Sequence, residues 1–237
     1  EPGPAIVLED GARVRGSHLL IAAGRIPNLE PLNLDAANVA ATRHGILTDA
    51  GLRSPSNRRV FAVGDIADPI GNGPRRFTHV GSYHAGIVIK RAVFRLPAKV
   101  DYGALPRVIY TSPELAQVGL TEAEARANGH QDLAILRWPL AENDRAQVEG
   151  QSTGLIKLVV RKDGRLLGAS ILAPHAGEMI GAYTLAVAHR LKIADLAGMI
   201  VPYPTLAEVG KRAAGSYFTP RLFSGATKWV VRQLARL

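Results

Sequence analysis

The sequence lacks cysteine, long apolar runs and more than a few aromatic residues. Without cysteine it has no disulfide, no thiolate metal site and no thiol nucleophile of its own. No apolar run approaches the ~18 residues that a membrane helix needs, and no signal peptide is present, so we expect a cytoplasmic protein. Aromatic side chains make up only 5% of the residues, which is too few for a base-stacking platform.

The sequence also lacks the short motifs that hold phosphates or metals in many enzymes. There is no G-x-G-x-x-G fingerprint, no Walker loop, no H-E-x-x-H pair and no G-x-S-x-G turn. We therefore expect no metal site, and the phosphate-cradling loop of any dinucleotide site must lie elsewhere. Because the first residue is Glu1 rather than Met, we expect the chain to be a piece of a longer protein.

Charge is distributed unevenly along an otherwise ordinary globular composition. The 237 residues carry a net charge of +9, and six of the nine excess positive charges lie after Glu208, the last acidic residue. Such a tail could contact nucleic acid or an anionic membrane, or could be the solvated basic face of a terminal helix. We favour the solvated face, and so expect neither nucleic acid nor a membrane as a partner.

Short apolar runs bounded by turn residues predict the strands of the first half. Residues 5–8 and 12–14 flank an Asp-Gly pair and predict a β-hairpin. Residues 17–23 and 60–63 are typical of strands that are buried on both faces. The first half therefore has the pattern of an α/β region.

Polar residues follow the second of these buried strands. Asp65 would lie at the sheet edge where open α/β folds bind ligands, and its carboxylate could accept hydrogen bonds from sugar or ribitol hydroxyls. An Asp in this place can equally cap the next segment. Further on, Thr78 is expected to cap a helix over 79–95.

The order of predicted strands and helices in the second half is typical of an α+β domain, with an antiparallel sheet and helices on one side. Thr121 is a candidate helix cap, with Glu122 and Glu124 in the first turn and Gly129 at the end. The predicted strands are 108–110, 133–139, 154–161 and 166–172, the last two joined by an Asp-Gly hairpin. The predicted helices are 176–191, 193–199, one that begins near Thr205, and a basic amphipathic helix over 224–236.

Four segments, in order along the chain, together resemble the flavin-dependent pyridine nucleotide-disulfide oxidoreductases. Residues 19–28 contain an A-x-G-R-x-P-N pattern, and residues 60–65 resemble the second flavin motif of that family. Residues 110–122 resemble the start of its dimerisation domain. Residues 203–208 match its H-P-T-x-x-E segment with Tyr in place of His, as in mercuric reductase and soluble transhydrogenase relatives.

The resemblance implies a fold class and a set of domain boundaries. It implies α/β plus α+β architecture, in which the remnant of a flavin/nicotinamide dinucleotide-binding region precedes an α+β interface domain that forms a homodimer. The implied parts are the end of the nicotinamide-binding domain (1–30), the returning part of the FAD-binding domain (31–100), the dimerisation domain (101–217) and a basic C-terminal helix (218–237). The family's phosphate loop and cysteine pair belong to an amino-terminal half that this sequence does not contain.

The resemblance also implies residues that contact FAD. Asp65 would bind the ribitol, Arg25 would approach the pyrophosphate, and the start of the helix near Thr78 would stabilise the anion of a reduced flavin. His79 and His84 are expected to pack or to face solvent rather than to act as acids or bases. The implied cofactor-binding residues are Gly24, Arg25, Gly64, Asp65, Phe77, Thr78, His79 and Val80, and the implied cofactors of the full-length protein are FAD and NAD(P)H.

Tyr203 and Glu208 are the implied catalytic pair. In disulfide-reducing relatives a His-Glu dyad reaches across the dimer as the acid–base catalyst of the thiol. A Tyr, whose unperturbed pKa is about 10, cannot do this near pH 7, although it can donate a hydrogen bond. Glu208 can alternatively be an ordinary acidic residue in the first turn of its helix. The bond between Tyr203 and Pro204 is a candidate cis peptide.

These residues favour a mercuric reductase-like enzyme, which passes electrons from a nicotinamide via flavin to a disulfide, a metal or another acceptor. A soluble transhydrogenase-like enzyme and a standalone, non-catalytic dimerisation module are the alternatives. On its own this piece is expected to bind FAD poorly and to be inactive. Apolar residues at helical spacing are candidates for the core, the simpler assignment, or for a dimer interface: Ile180, Tyr183, Val187 and Leu191.

Overall fold

The structure is a computed structural model and describes residues 3–236. Contacts divide the chain into two compact units, Glu1–Val100 and Asp101–Leu237.

The first unit contains a hairpin, a small sheet and one long helix. Strands β1 (Ala5–Val7) and β2 (Arg13–Arg15) form the antiparallel hairpin that the Asp-Gly pair predicts. In a three-stranded sheet, β4 (Gly45–Thr48) pairs antiparallel with β3 (Ala41–Thr42) and parallel with β5 (Ala67–Pro69). Helix α1 spans Thr78–Ala92, and short 3-10 turns cover Glu30–Leu32 and Gly64–Ile66.

Helix α1 is held to its unit by one apolar face. Val80, His84 and Ile87 are buried at the i, i+4, i+7 spacing of such a face. The other buried apolar residues of the unit are Val39, Ile46, Leu52, Ala62, Ala67 and Val100. The prediction that Thr78 caps the helix was wrong: Thr78 is its first residue, and the N-cap is Phe77, whose ring cannot accept a hydrogen bond from the first turn. The helix also ends three residues earlier than predicted, at Ala92.

Two strands predicted from apolar runs are not formed. Residues 17–23 are irregular, and Leu20 and Ile21 are 87% and 79% exposed. Residues 60–63 form no strand either, since Phe61 makes only an isolated bridge with Arg53. A buried parallel strand needs neighbouring strands to bond its N–H and C=O groups, and none within residues 3–236 pairs with either run. Apolar composition alone was therefore misleading.

The sheet of the second unit has five antiparallel strands. Their order is β6-β7-β10-β9-β8, with β6 at Arg107–Ile109, β7 at Glu114–Gly119, β8 at Leu133–Pro139, β9 at Leu155–Arg161 and β10 at Leu166–Ala173. The predicted Asp-Gly hairpin joins β9 to β10. Strand β7 is not among the predicted strands, and in the structure its burial alternates as in a half-buried strand.

Helices cover mainly one face of this sheet, which confirms the α+β prediction. They are α2 (Glu122–Ala127), α3 (Asp144–Val148), α4 (Ala176–Ala188), α5 (Ile193–Gly198), α6 (Glu208–Ser216), α7 (Thr219–Leu222) and α8 (Gly225–Leu234). Helix α4 packs on β7 and β10, α6 packs on β8 and β9, and α5 packs on α6. Neither α3 nor α7 was predicted.

The four apolar residues that the sequence analysis places at helical spacing belong to the core of the second unit. Ile180 and Tyr183 are buried in it, and Val187 and Leu191 pack against it. Their helical spacing therefore marks the core rather than an interface. Across residues 3–236, no helix is both long enough and apolar enough to span a bilayer.

Candidate functional site

Arg25 and Asp65, 40 residues apart in the sequence, form an ion pair in the first unit. A guanidinium nitrogen of Arg25 lies 3.1 Å from a carboxylate oxygen of Asp65. The Arg25 side chain also donates to the backbone carbonyl of Arg76, and Arg76 donates in turn to the carbonyl of Arg25 at 2.7 Å. Both members of the pair face solvent, with side chains 64% and 41% exposed. They are therefore positioned by the backbone yet accessible to a ligand.

The turn that carries Asp65 is fixed against helix α1. The backbone N–H of Gly64 donates to Nδ1 of the buried His84, at 3.1 Å. Burial lowers the pKa of His84, which keeps the ring neutral and able to accept this bond. Gly64 has φ +73° and lies against Gly81, so that a Cβ at position 64 would be 3.7 Å from the Gly81 Cα. Two glycines thus let the turn approach the helix closely.

The start of α1 faces the same turn. Its N-cap, Phe77, provides no side-chain hydrogen bond, so the partial positive charge of the first turn is not offset by a local cap. The Phe77 ring stacks on His79 with centroids 5.2 Å apart. Val80 differs from the expectation of a cofactor contact, because its side chain is buried in the core and its N–H bonds to the Phe77 carbonyl.

These residues fit the chemistry of FAD. An accessible carboxylate can accept hydroxyl hydrogens, a guanidinium can neutralise a phosphate, and an uncapped helix amino terminus favours an electron-rich group. Gly24, at φ +113° with nothing within 4 Å of a Cβ added there, lets the backbone be approached closely beside Arg25. Six predicted positions (Gly24, Arg25, Gly64, Asp65, Phe77 and His79) are exposed or half-buried, and Thr78 is exposed as well.

A second group of polar residues lies in the second unit around Tyr203. The Tyr203 hydroxyl donates to a carboxylate oxygen of Asp144 at 2.7 Å. This hydrogen bond, with the charges of Asp144 and Glu208, raises the pKa of the Tyr203 phenol. The phenol is therefore protonated at neutral pH and acts as a hydrogen-bond donor. The peptide bond between Tyr203 and Pro204 is cis, as the sequence predicts.

Asn143 positions both partners of the hydrogen bond between Tyr203 and Asp144. Its side-chain amide donates to the Thr205 carbonyl at 3.0 Å, and its oxygen accepts from the Ala146 N–H at 3.0 Å, capping α3. Asn143 is buried, so neither bond is open to competition from water. One side chain therefore ties the loop that carries Tyr203 to the helix that begins at Asp144.

Glu208 lies close to Tyr203 but is bonded elsewhere. Its carboxylate pairs with Arg212, one turn along α6, at 3.2 Å. It also lines a cleft of about 500 Å³ together with Trp138 and Lys211. Tyr203 and Glu208, the predicted catalytic pair, are thus near enough to interact electrostatically. The direct hydrogen-bond partner of Tyr203, however, is Asp144. No sequence motif singles out Asp144, although its place directly after a cap residue was a usable signal for α3.

Within the part of the chain that the structure describes, no group of three or more His, Asp or Glu side chains could hold a metal ion.

Two family models match the chain in succession. Residues 3–120 match the model described as pyridine nucleotide-disulphide oxidoreductase, and residues 105–214 match that of the dimerisation domain of the same proteins.

Curated relatives and solved structures agree with these matches. A mercuric reductase of Staphylococcus aureus is 40% identical over 203 residues, which are 85% of this chain and 36% of the relative. A dihydrolipoyl dehydrogenase of Bacillus subtilis (strain 168) is 36% identical, over 85% of this chain and 42% of the relative. LpdA from Mycobacterium tuberculosis superposes with a TM-score of 0.82 at 25% identity, covering 92% of this chain and 46% of that one. The HOCl-induced flavoprotein disulfide reductase RclA from Escherichia coli superposes with a TM-score of 0.79 at 26% identity. The match covers 91% of this chain and 48% of RclA. The chain thus spans less than half the length of these proteins.

Proposed function

The chain belongs to the pyridine nucleotide-disulphide oxidoreductases, and on that basis we propose that it is the carboxyl-terminal portion of an FAD-dependent NAD(P)H oxidoreductase of the mercuric-reductase type. The observation that carries the proposal is the convergence of Arg25, Asp65 and the start of α1 on one turn of the first unit. When bound, FAD would supply a two-electron relay between NAD(P)H and an acceptor.

Each residue of this turn has a distinct part in the proposal. Asp65 accepts hydrogen bonds from the ribitol, and Arg25 sets a positive charge beside the pyrophosphate. The first turn of α1 directs its partial positive charge at the electron-rich ring. His84 holds Gly64 and so keeps Asp65 in place.

Tyr203 supports a reductase that needs no base at this position. With its pKa raised, the phenol does not take up a proton at neutral pH, and its hydrogen is donated to Asp144. This disfavours an enzyme whose thiol chemistry depends on an imidazole at this place, as the dihydrolipoamide dehydrogenases are expected to do. A mercuric reductase-like role, with Tyr203 orienting a ligand or a neighbouring chain, fits better.

The proposal includes a homodimer that forms through the second unit, in the cytoplasm. The match to the dimerisation domain supports it. So do exposed apolar side chains of this unit, among them Tyr110, Leu185 and Ile200.

The test is the flavin content of the FAD-loaded enzyme with Asp65→Asn. Loss of a hydrogen bond from a charged acceptor is expected to weaken FAD binding by about tenfold to a hundredfold. Flavin absorbance per protein, after dialysis, reports the loss. The matched control is Asp68→Asn, because Asp68 lies three residues on and accepts from Thr42 instead. Equal flavin retention in both variants and the unchanged enzyme would refute the role of Asp65, and an unchanged unfolding midpoint separates binding from stability.

A further inference from the structure

The carboxyl-terminal helix α8 lies outside the residues that match the dimerisation-domain model, which ends at residue 214. It buries none of its residues, and the main element that it contacts is the short helix α7. Trp229, Val231 and Leu234 are 63%, 57% and 62% exposed. A ten-residue helix with its apolar side chains in water gains little stability from packing, so a partner surface is expected to cover it.

Two opposite faces run along α8. Lys228 and Arg232 are one turn apart on one face, and Arg236 continues their four-residue spacing just after the last turn. Val230, Val231 and Leu234 share the other side through i, i+3 and i, i+4 spacing. Immediately before the helix, Leu222 and Phe223 are also exposed, which extends the apolar surface.

The charge around this apolar surface has one sign. No acidic residue follows Glu208, whereas six basic residues do. Within residues 3–236, Arg212 is the one member of these six with an ion-pair partner. The uncompensated charge is therefore concentrated on and beside α8, where it would complement a surface of negative charge.

We propose that α8 binds the surface of an anionic membrane, lying in the plane of the interface. Its apolar side would enter the boundary between headgroups and acyl chains, and the lysine and arginine side chains would reach the lipid phosphates. Trp229 lies at the border of the basic face. Because its ring is amphipathic, it would lie at the level of the lipid headgroups. The distribution of charge alone favours a solvated basic face, but the exposed apolar residues on the opposite side of α8 favour a membrane surface.

Other partners fit these observations less well. A nucleic acid would neutralise the basic face but leave Val230, Val231 and Leu234 in water. A second copy that packed its α8 against this one could cover the apolar face, but it would bring the basic side chains of two tails together. An anionic bilayer satisfies both faces at once. This proposal is independent of the flavin chemistry.

The fluorescence of Trp229 can test the proposal directly, because the chain has only two tryptophans. Replacing the other, Trp138→Phe, leaves Trp229 as the single reporter, and it removes a buried indole N–H that has no hydrogen-bond partner. We expect the emission to shift to shorter wavelength when this chain is mixed with vesicles of phosphatidylglycerol and phosphatidylcholine in equal parts. No shift is expected with pure phosphatidylcholine, and added salt should weaken binding.

Variants of the basic face and of the apolar face measure the contribution of each to vesicle binding. Neutralising Lys228, Arg232 and Arg236 to Gln is expected to weaken vesicle binding on the order of a hundredfold. Changing Val230, Val231 and Leu234 to Ser should weaken it about tenfold or more and abolish the spectral shift. The matched control neutralises three exposed cations of the first unit, Arg13, Arg15 and Lys90, to Gln and should bind as before. Since α8 buries nothing, all variants should keep the unfolding midpoint of the chain.

Three outcomes would overturn the proposal. The first is no binding to anionic vesicles, or equal binding to neutral ones. The second is binding to a DNA duplex that the Gln variant loses and the Ser variant keeps, which would assign the helix to nucleic acid. The third is self-association in sedimentation that the Ser variant abolishes, without vesicle binding, which would assign it to a second copy.

Discussion

The hydroxyl of Tyr203 donates a hydrogen bond of 2.7 Å to a carboxylate of Asp144, 59 residues earlier in the chain. A carboxylate acceptor stabilises the neutral phenol over the phenolate, and the nearby charge of Glu208 acts in the same direction. The folded-state pKa therefore lies above the unfolded one. The contribution of the bond to stability is fully present below about pH 10 and is lost as the pH rises through the folded pKa.

We expect Asp144→Asn to lower the ionisation midpoint of Tyr203 toward its ordinary value of about 10. The six tyrosines overlap spectrally, so the midpoint is read from the difference in phenolate absorbance between each chain and its Tyr203→Phe counterpart. Asp132→Asn is the control, since it removes one carboxylate whose partner is Lys162. A midpoint that does not respond to Asp144→Asn, or responds equally to Asp132→Asn, would show that the bond is not formed in solution.

Local signals predicted the second unit well because its elements are encoded locally. The Asp-Gly turn between β9 and β10 is one example, and the capping box of Thr121 and Glu124 is another. The partner of Tyr203 was missed for a different reason, because a contact between residues distant in sequence leaves no local pattern. Nothing near Tyr203 indicates Asp144 as its partner.

The first unit shows the complementary failure. Residues 60–63 have the composition of a buried strand, but a strand is stable only when another strand receives its backbone groups, and none within residues 3–236 does so. The turn at the end of this run is fixed by α1 instead, because the backbone N–H of Gly64 donates to His84 of that helix. The role of His84 in that fixation was not foreseen, since burial and hydrogen bonding of a histidine depend on the packed structure.

Gly64, in the turn that carries Asp65, lies against Gly81 of α1, and the two glycines should respond oppositely to alanine. At Gly64, φ +73° is the left-handed region, so Gly64→Ala is expected to cost about 1–2 kcal/mol of unfolding free energy. At Gly81, an added Cβ would lie 3.8 Å from the Gly64 Cα, an ordinary contact, and Ala favours the helix by up to about 1 kcal/mol. Urea unfolding followed by circular dichroism measures both. A Gly64→Ala chain as stable as the unchanged one would contradict the turn geometry.

Gly210 of α6 lies against Tyr183 of α4, and the phenol of this buried tyrosine occupies the space that a side chain at position 210 would need. A Cβ at Gly210 would fall 1.5 Å from the Tyr183 hydroxyl and 2.7 Å from the ring carbon that bears it. Because Tyr183 is itself enclosed in the core, it cannot simply rotate away. We therefore expect Gly210→Ala to destabilise the second unit by about 1–3 kcal/mol, the usual cost of overpacking.

Gly215 provides the control within the same helix. Nothing lies within 4 Å of a Cβ added there, so Gly215→Ala should be neutral or stabilising by up to about 1 kcal/mol through helix propensity. Adding Tyr183→Phe to Gly210→Ala removes the hydroxyl, the nearer of the two obstacles, and should restore part of the lost stability. If both glycine variants shift the urea midpoint equally, the effect would be one of propensity alone, and the close packing of α6 on Tyr183 would be wrong.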